Sequence, residues 1–420
     1  MPDRRGLSVG RQDVVDLTDP WFWTRDDAHE TVARLRRAAP VHWQETAEGP
    51  LWSVLSYPAA TAVLGDPDVF SSKRGSLLGT APAATGAPAG AEKMMALCDP
   101  PRHRTLRDPV TALFSARHVS TLAARVHDLT VSVVERALDR RDVDFVRDVG
   151  AIVPMTMMCE LMGVPERDRE MVVGLCDEAF LGRTREARRA GHQRLLPYLF
   201  ELAVERRKSP GEDVVSVLAG RDVEDGRLPL EEVVLNCDNI IVGGVQTVRH
   251  TAAMGMLALA EHPGAWTAFQ SGAVDPATAV EELLRWTSVG LHVLRVAKRD
   301  TGLDGQRILA GDRVVVWTPA ANRDEEIFPS PGRLDLSRHP NRHIAFGWGP
   351  HYCIGATLAR LELVSLFSEL ARRVEVVEPL GPPTPNLSII NFGLESFPVH
   401  LRPRKTPPTA AARARRGDTR

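Results

Sequence analysis

The chain has 420 residues, with 52 Lys and Arg against 54 Asp and Glu, 43% hydrophobic and 25% charged residues. That composition suits a globular protein with a large core, and the near-zero net charge excludes a whole-surface affinity for nucleic acid or anionic membrane. Aromatics at 5% leave little for base-stacking platforms, and five scattered cysteines without a CxxC pair do not form a disulfide framework. The opening MPDRRGLSVGRQDVVDL has no apolar core, so no secretory signal and a cytoplasmic location are expected. Val41–Gln44 and Leu51–Leu55 read as a β-hairpin around a polar turn. Gly75–Gly90 is a flexible loop by composition, of a length that is usually functional or disordered. From His103 to about Gln270 helical patterns dominate, with breaks expected at Pro154, Pro165, Pro197, Pro210 and Pro229. The longest helix should run from about Leu230 to Glu261. Its apolar positions cover nearly the whole circumference at Ile240–Val245, as in a buried helix. Val293–Ala297, Arg307–Leu309 and Arg313–Trp317 are β-like, residues 321–350 are irregular, and a final helix spans about Gly355 to Arg373. The fold class is mainly α with a small β-rich region. Residues 1–25 read as an N-terminal extension, 26–402 as a single domain and 403–420 as a basic, disordered tail.

The densest chemical signal is Phe346-Gly347-Trp348-Gly349-Pro350-His351-Tyr352-Cys353-Ile354-Gly355, running into Ala356-Thr357-Leu358-Ala359-Arg360. Three glycines hold this backbone tightly, and a cysteine at a helix start is placed where amide N–H groups stabilise a thiolate. His343, His351 and Cys353 make a poor zinc set. A haem iron needs one axial thiolate and an otherwise apolar cradle, which this segment offers.

The run F-G-x-G-x-H-x-C-x-G-x-x-L-A-R resembles the haem-binding signature of the cytochrome P450 superfamily, with every characteristic position filled. Glu282-Leu283-Leu284-Arg285 resembles the family's ExxR, and Arg333 of Pro331-Gly332-Arg333-Leu334 its third network member. Spacing of three puts Glu282 and Arg285 on one helix face. Asp99-Pro100-Pro101-Arg102-His103-Arg104-Thr105-Leu106-Arg107 resembles the helix that grips a haem propionate, with His103 and Arg107 one turn apart. Arg295 and His351 match two further propionate partners. Gly243-Gly244-Val245-Gln246-Thr247 resembles the oxygen-activation motif, but Gln246 stands where the family has an acid. An amide can hold water and cannot release a proton near neutral pH. Proton delivery is therefore expected to be slow or to borrow a group from the substrate.

The resemblance implies the cytochrome P450 fold, Cys353 as the axial ligand of haem b (iron protoporphyrin IX), and Phe346, Gly347 and Gly355 in the haem cradle. Gly243, Gly244, Gln246 and Thr247 would form the oxygen site. Asn239, Val242, Val289, Leu291 and Phe392 are expected in the substrate pocket, whereas His292, which could touch a ligand there, is more simply a solvated or backbone-bonded histidine. Electrons must come from outside, so a ferredoxin and a ferredoxin reductase are implied, docking where Arg102, Arg104 and Arg360 cluster. The expected function is a monooxygenase oxidising a small molecule of secondary metabolism, free or carried on a carrier protein, with no nucleic acid and no membrane involved. An oxidase that couples or cyclises without inserting oxygen is the second reading. A non-catalytic haem-binding module is the reading from another class.

Overall fold

A computed structural model of the protein describes residues 15–79, 90–181, 185–224 and 226–405. Helices make most of it, and the β-structure is gathered in small sheets. Ser56-Tyr57-Pro58 starts a helix as Pro at the first turn allows, after the expected hairpin Val41–Gln44 and Leu51–Val54. This hairpin is the edge of a five-stranded sheet. Leu51–Val54 pairs in parallel with Arg313–Trp317, which pairs antiparallel with His292–Ala297, and Phe70–Ser71 closes the far side. Val314 lies opposite Arg295, which fixes the direction of the latter on the sheet.

Leu230–Glu261 forms one 32-residue helix with the bounds its pattern predicts. It crosses the molecule, packing against helices Ile152–Leu161, Arg185–Lys208 and Pro276–Thr287. Ala356–Arg373 lies beside Pro276–Thr287 and Ala123–Arg140. Two of the expected breaks do not occur. Pro154 sits in the first turn of Ile152–Leu161, where its missing N–H has no intrahelical acceptor, and Pro197 is carried inside Arg185–Lys208. In the latter, packing against the long helix and Arg169–Leu181 outweighs one lost backbone bond.

Within the expected N-terminal extension, Leu17, Phe22 and Trp23 are buried with Trp317 in a cluster under the sheet. Burial of three such side chains is worth several kcal/mol, about 1.5–3 each, so residues 15–25 pack as part of the body. Of the expected loop, residues 80–89 lie outside the described residues, as do residues 406–420 of the basic tail. No described helix is long and apolar enough to cross a membrane.

Candidate active site

The backbone before Ala356–Arg373 is folded into a tight loop. Cys353 N–H donates to Phe346 O at 2.9 Å, Gly347 N–H to Ile344 O at 2.9 Å, and Tyr352 N–H to Gly349 O at 3.0 Å. Two glycines are required by this geometry. Gly347 and Gly349 have φ of +74° and +71°, and a Cβ on Gly349 would stand 2.5 Å from Leu64 O. Arg360, one helical turn on, lies over the Phe346 ring at 4.5 Å and grips Glu281 through Nε and Nη2, at 2.6 and 2.9 Å. His343 joins Glu281 at 3.0 Å. Burial pushes the Glu281 carboxyl up, yet Arg360 and His343 outweigh it and hold the group at about 2.

The chain entering the loop is tied to the buried ExxR pair through Asn322, whose Oδ1 accepts from the Ile344 N–H at 2.7 Å and whose carbonyl accepts from Arg285 Nη1. Glu282 and Arg285 are wholly inaccessible and bonded twice, Nε to Oε2 at 2.7 Å and Nη2 to Oε1 at 2.8 Å. Arg285 Nη1 reaches Asn322 O and Pro331 O. The third member is Arg338, whose Nε donates to Glu282 Oε2 at 3.0 Å, and Arg333 does not take that place. The turn Ser330–Arg333 leaves Arg333 exposed, offering only its carbonyl to Arg338. The Asp335 N–H and Asn341 Nδ2 complete the shell around Glu282.

These elements enclose a cavity of about 370 Å³ lined largely by apolar side chains. Cys353, Phe346, Gly347 and Gly355 line it from the loop, and Gly243, Gly244 and Thr247 from the long helix. Cys353 lies deep in the protein and is accessible because it faces that space. Burial pushes its thiol up, opposed by the Gly355 and Ala356 N–H groups and by Arg107 and Arg360. Thr247 Oγ1 donates to Gly243 O at 2.8 Å, its own helix turn. Gly244 has a packing reason as well, since a Cβ there would meet Met158 Cε at 2.0 Å.

At the rim, the His103 and His351 rings stand 4.2 Å apart, with Arg107 and Arg295 close enough to depress both imidazoles. Burial first, then Arg107, brings His103 to about 4, and burial with Arg295 brings His351 to about 2. His103 Nε2 is buried without a hydrogen-bond partner. Arg295, 3% exposed, donates among the described residues to the adjacent Leu294 carbonyl, and burial lowers it to about 10. His351 Nε2 meets Ser72 Oγ at 3.2 Å and Arg107 Nη2 donates to the Tyr352 carbonyl, while Asp99 is a carboxylate that Arg295 feels. With the unpartnered His103 Nε2, these four basic groups form a site for negative charge at the edge of an apolar space. That arrangement fits the two carboxylates and flat apolar body of a haem.

The expected pocket residues divide. Asn239 and Val289 line the cavity. On the long helix the cavity face recurs at Asn239, Gly243, Thr247 and Thr251, with Ile240, Gly244 and Val248 beside them. Val242 falls on the neighbouring flank and packs among apolar side chains that include Val172 and Cys176. Leu291 turns into the cluster around Trp317, and Phe392 closes a separate small pocket with Trp23 and Trp286. Neither is in the main cavity. His292 lines it with both nitrogens engaged, Nε2 accepting from the Leu78 N–H at 2.7 Å and Nδ1 facing Ile389 O at 3.1 Å. It is the backbone-bonded histidine that was expected. Gln246 also faces off the cavity, toward Asp177 of helix Arg169–Leu181.

Sequence reasoning passed over Phe114, Met158, Thr318 and Glu362, which all line the cavity. Glu362 is buried, and burial alone pushes its carboxyl up to about 8, so it is protonated near neutral pH. Its place nine residues after Cys353 on an otherwise apolar helix face was a signal available in the sequence.

Comparison with known proteins bears on all of this. The cytochrome P450 family model matches residues 277–397. Cytochrome P450 NovI of Streptomyces niveus is 33% identical over 407 residues, covering 96% of this chain and all of that protein. Cytochrome P450 monooxygenase PikC of Streptomyces venezuelae is 35% identical over 388 residues, 90% of this chain and 91% of the other. The crystal structure of P450 OxyD, involved in the biosynthesis of vancomycin-type antibiotics, superposes with a TM-score of 0.85 at 36% identity, covering 93% of this chain and all of that one.

Proposed function

The chain belongs to the cytochrome P450 family, and on that premise we propose that Cys353 is the iron ligand of a haem b whose carboxylates are held by His103, Arg107, Arg295 and His351. The enzyme is a cytochrome P450 monooxygenase and haem is its cofactor. The alternative of a non-catalytic haem-binding module does not stand beside a relative named as a monooxygenase. The observation that carries the assignment of residues is one apolar cavity lined by both Cys353 and Thr247, with the buried, unpartnered His103 Nε2 at its rim.

Bound there, the haem supplies dioxygen activation with thiolate electron donation. The chain's part is to hold, orient and screen. Gly243 leaves open space beside the long helix, and nothing lies within 4 Å of a Cβ placed there. Thr247 offers a hydroxyl to the same space. The Gly355 and Ala356 N–H groups favour the anionic form of the Cys353 sulfur. Largely apolar walls, interrupted by polar side chains such as Asn239, Thr251 and Thr318, select an apolar or mixed small molecule.

We place that substrate in secondary metabolism, supported by the similarity to OxyD, and its delivery on a carrier protein is the finer form of the proposal. The electron donors are a ferredoxin and its reductase in the cytoplasm. Of the basic residues expected to dock them, Arg102 is bound to Glu232 and Arg360 to Glu281, leaving Arg104 exposed. The test is consumption of reductant and dioxygen, stimulated by free or carrier-bound candidate substrates, followed by product mass. Gain of one oxygen atom supports oxygen insertion. Loss of two hydrogens without oxygen favours the second reading, an oxidase that couples or cyclises, which rests on Gln246 in place of an acid.

A further inference from the structure

Inserting one oxygen atom into a C–H bond consumes dioxygen, two electrons and two protons, and releases water. The electrons come from the redox partner, but the protons must cross the protein wall beside Thr247. At the acid position of that wall stands Gln246, which is 1% exposed and cannot release a proton near neutral pH. Its hydrogen bonds point to where a carboxylate has gone. Gln246 Nε2 donates to Asp177 Oδ1 at 3.2 Å, and Arg249 Nη2 forms an ion pair with the same oxygen at 2.8 Å. Arg249 Nη1 returns to Gln246 Oε1 at 3.4 Å, which closes the triangle.

Asp177 comes from helix Arg169–Leu181, packed against the long helix. Its side chain is 38% exposed while Arg249 is 5% exposed, so the carboxylate joins solvent to the buried wall. A purely neutralising role for Arg249 leaves Gln246 unexplained, because a guanidinium needs no amide to pair with a carboxylate. Thr247, the residue after Gln246, opens on the cavity side of the same helix turn.

Resting on the cytochrome P450 reading above, we propose that Asp177 supplies from the neighbouring helix the proton-donating carboxylate that the long helix lacks. Gln246 and Arg249 are its positioning residues. Protons enter at the exposed face of Asp177 and pass by water to the Thr247 hydroxyl, the amide holding the carboxylate in place without carrying a proton. The departure at Gln246 is therefore a relocation of the acid, and no substrate group has to be borrowed.

The experiment uses haem-loaded protein with a ferredoxin and reductase, measuring NADH and dioxygen consumption in H2O and D2O. Asp177→Asn should slow consumption at least fivefold and enlarge the solvent isotope effect, while Glu178→Gln, its exposed neighbour, changes neither. Adding Gln246→Glu to Asp177→Asn should restore at least half of the rate, a rescue that a structural role would not give. In resting protein, without turnover, infrared difference spectra across an acid titration should hold a carboxyl band that Asp177→Asn removes and Gln246→Leu shifts. A wild-type rate and isotope effect in Asp177→Asn, absence of rescue, or a band indifferent to Gln246→Leu overturns the proposal. The same loss in Glu362→Gln with none in Asp177→Asn also overturns it, moving the role to Glu362. The sulfur-ligated carbonyl spectrum, followed in every variant, separates these results from failure of the haem assignment.

Discussion

Both walls of the cavity are held by a carboxylate and guanidinium groups, and the two are built differently. Beneath the Cys353 loop, Glu282 receives five donors, two from Arg285 and one each from Arg338, Asn341 and the Asp335 N–H. Nothing of Glu282 or Arg285 reaches solvent. On the long-helix side, Asp177 takes one bond from Gln246 and one from Arg249, with more than a third of its side chain open. A buried carboxylate with its donors satisfied fixes geometry. A half-open one contributes little to stability and can exchange protons. The comparison teaches that one carboxylate is sealed among its donors and the other is left open, which suits the two roles proposed above, keeping a sulfur in place and letting protons through.

The largest effect should come from breaking the first wall. Glu282→Ala leaves Arg285 buried without a counter-charge, at a cost of about 3–5 kcal/mol. Denaturant unfolding should show it, together with loss of bound haem. A cost below about 1 kcal/mol would remove the contrast between the walls. Next, Arg338→Ala should cost about 2–3 kcal/mol, as loss of one partner of a buried charge does, whereas Arg333→Ala should stay within about 0.5 kcal/mol. Equal values for the two would return Arg333 to the network.

A smaller effect concerns acid. Glu281 sits at about 2 in the fold against an ordinary 4.5, a depressed carboxyl. Its contribution is complete above about pH 4.5 and is lost as pH falls towards 2. Glu281→Gln should flatten the stability profile over that interval and leave the slope above it unchanged. The smallest effect is at the pocket boundary. Phe392→Leu should leave ligand-induced shifts of the ferric spectrum unaltered, while Val289→Phe, which fills cavity space, should weaken them.

Much of this was legible in the chain. The long helix shows because Pro229 starts it and its apolar residues run right round it. The Cys loop shows because its glycines, histidine and cysteine serve one close-packed task. Arg333 could not be told from Arg338 by pattern, because both follow the same turn and only the turn's direction decides which guanidinium points inward. Leu291 and Phe392 were placed in the cavity by the family resemblance, which marks a segment and not a side-chain direction, yet the chain around the Gly290–Asn391 bridge turns both toward the buried N-terminal cluster. Asp177 lies 69 residues before Gln246, and nothing local ties the two. Such a contact exists only once the helices pack.

The most direct measurement is the absorption spectrum of the reduced, carbon monoxide-treated protein, taken beside that of Cys353→Ser. Wild type should give the band of sulfur-ligated iron and the variant should lose it while retaining its helical circular dichroism. A wild-type band of nitrogen-ligated iron, or a sulfur band that survives in Cys353→Ser, would contradict the account.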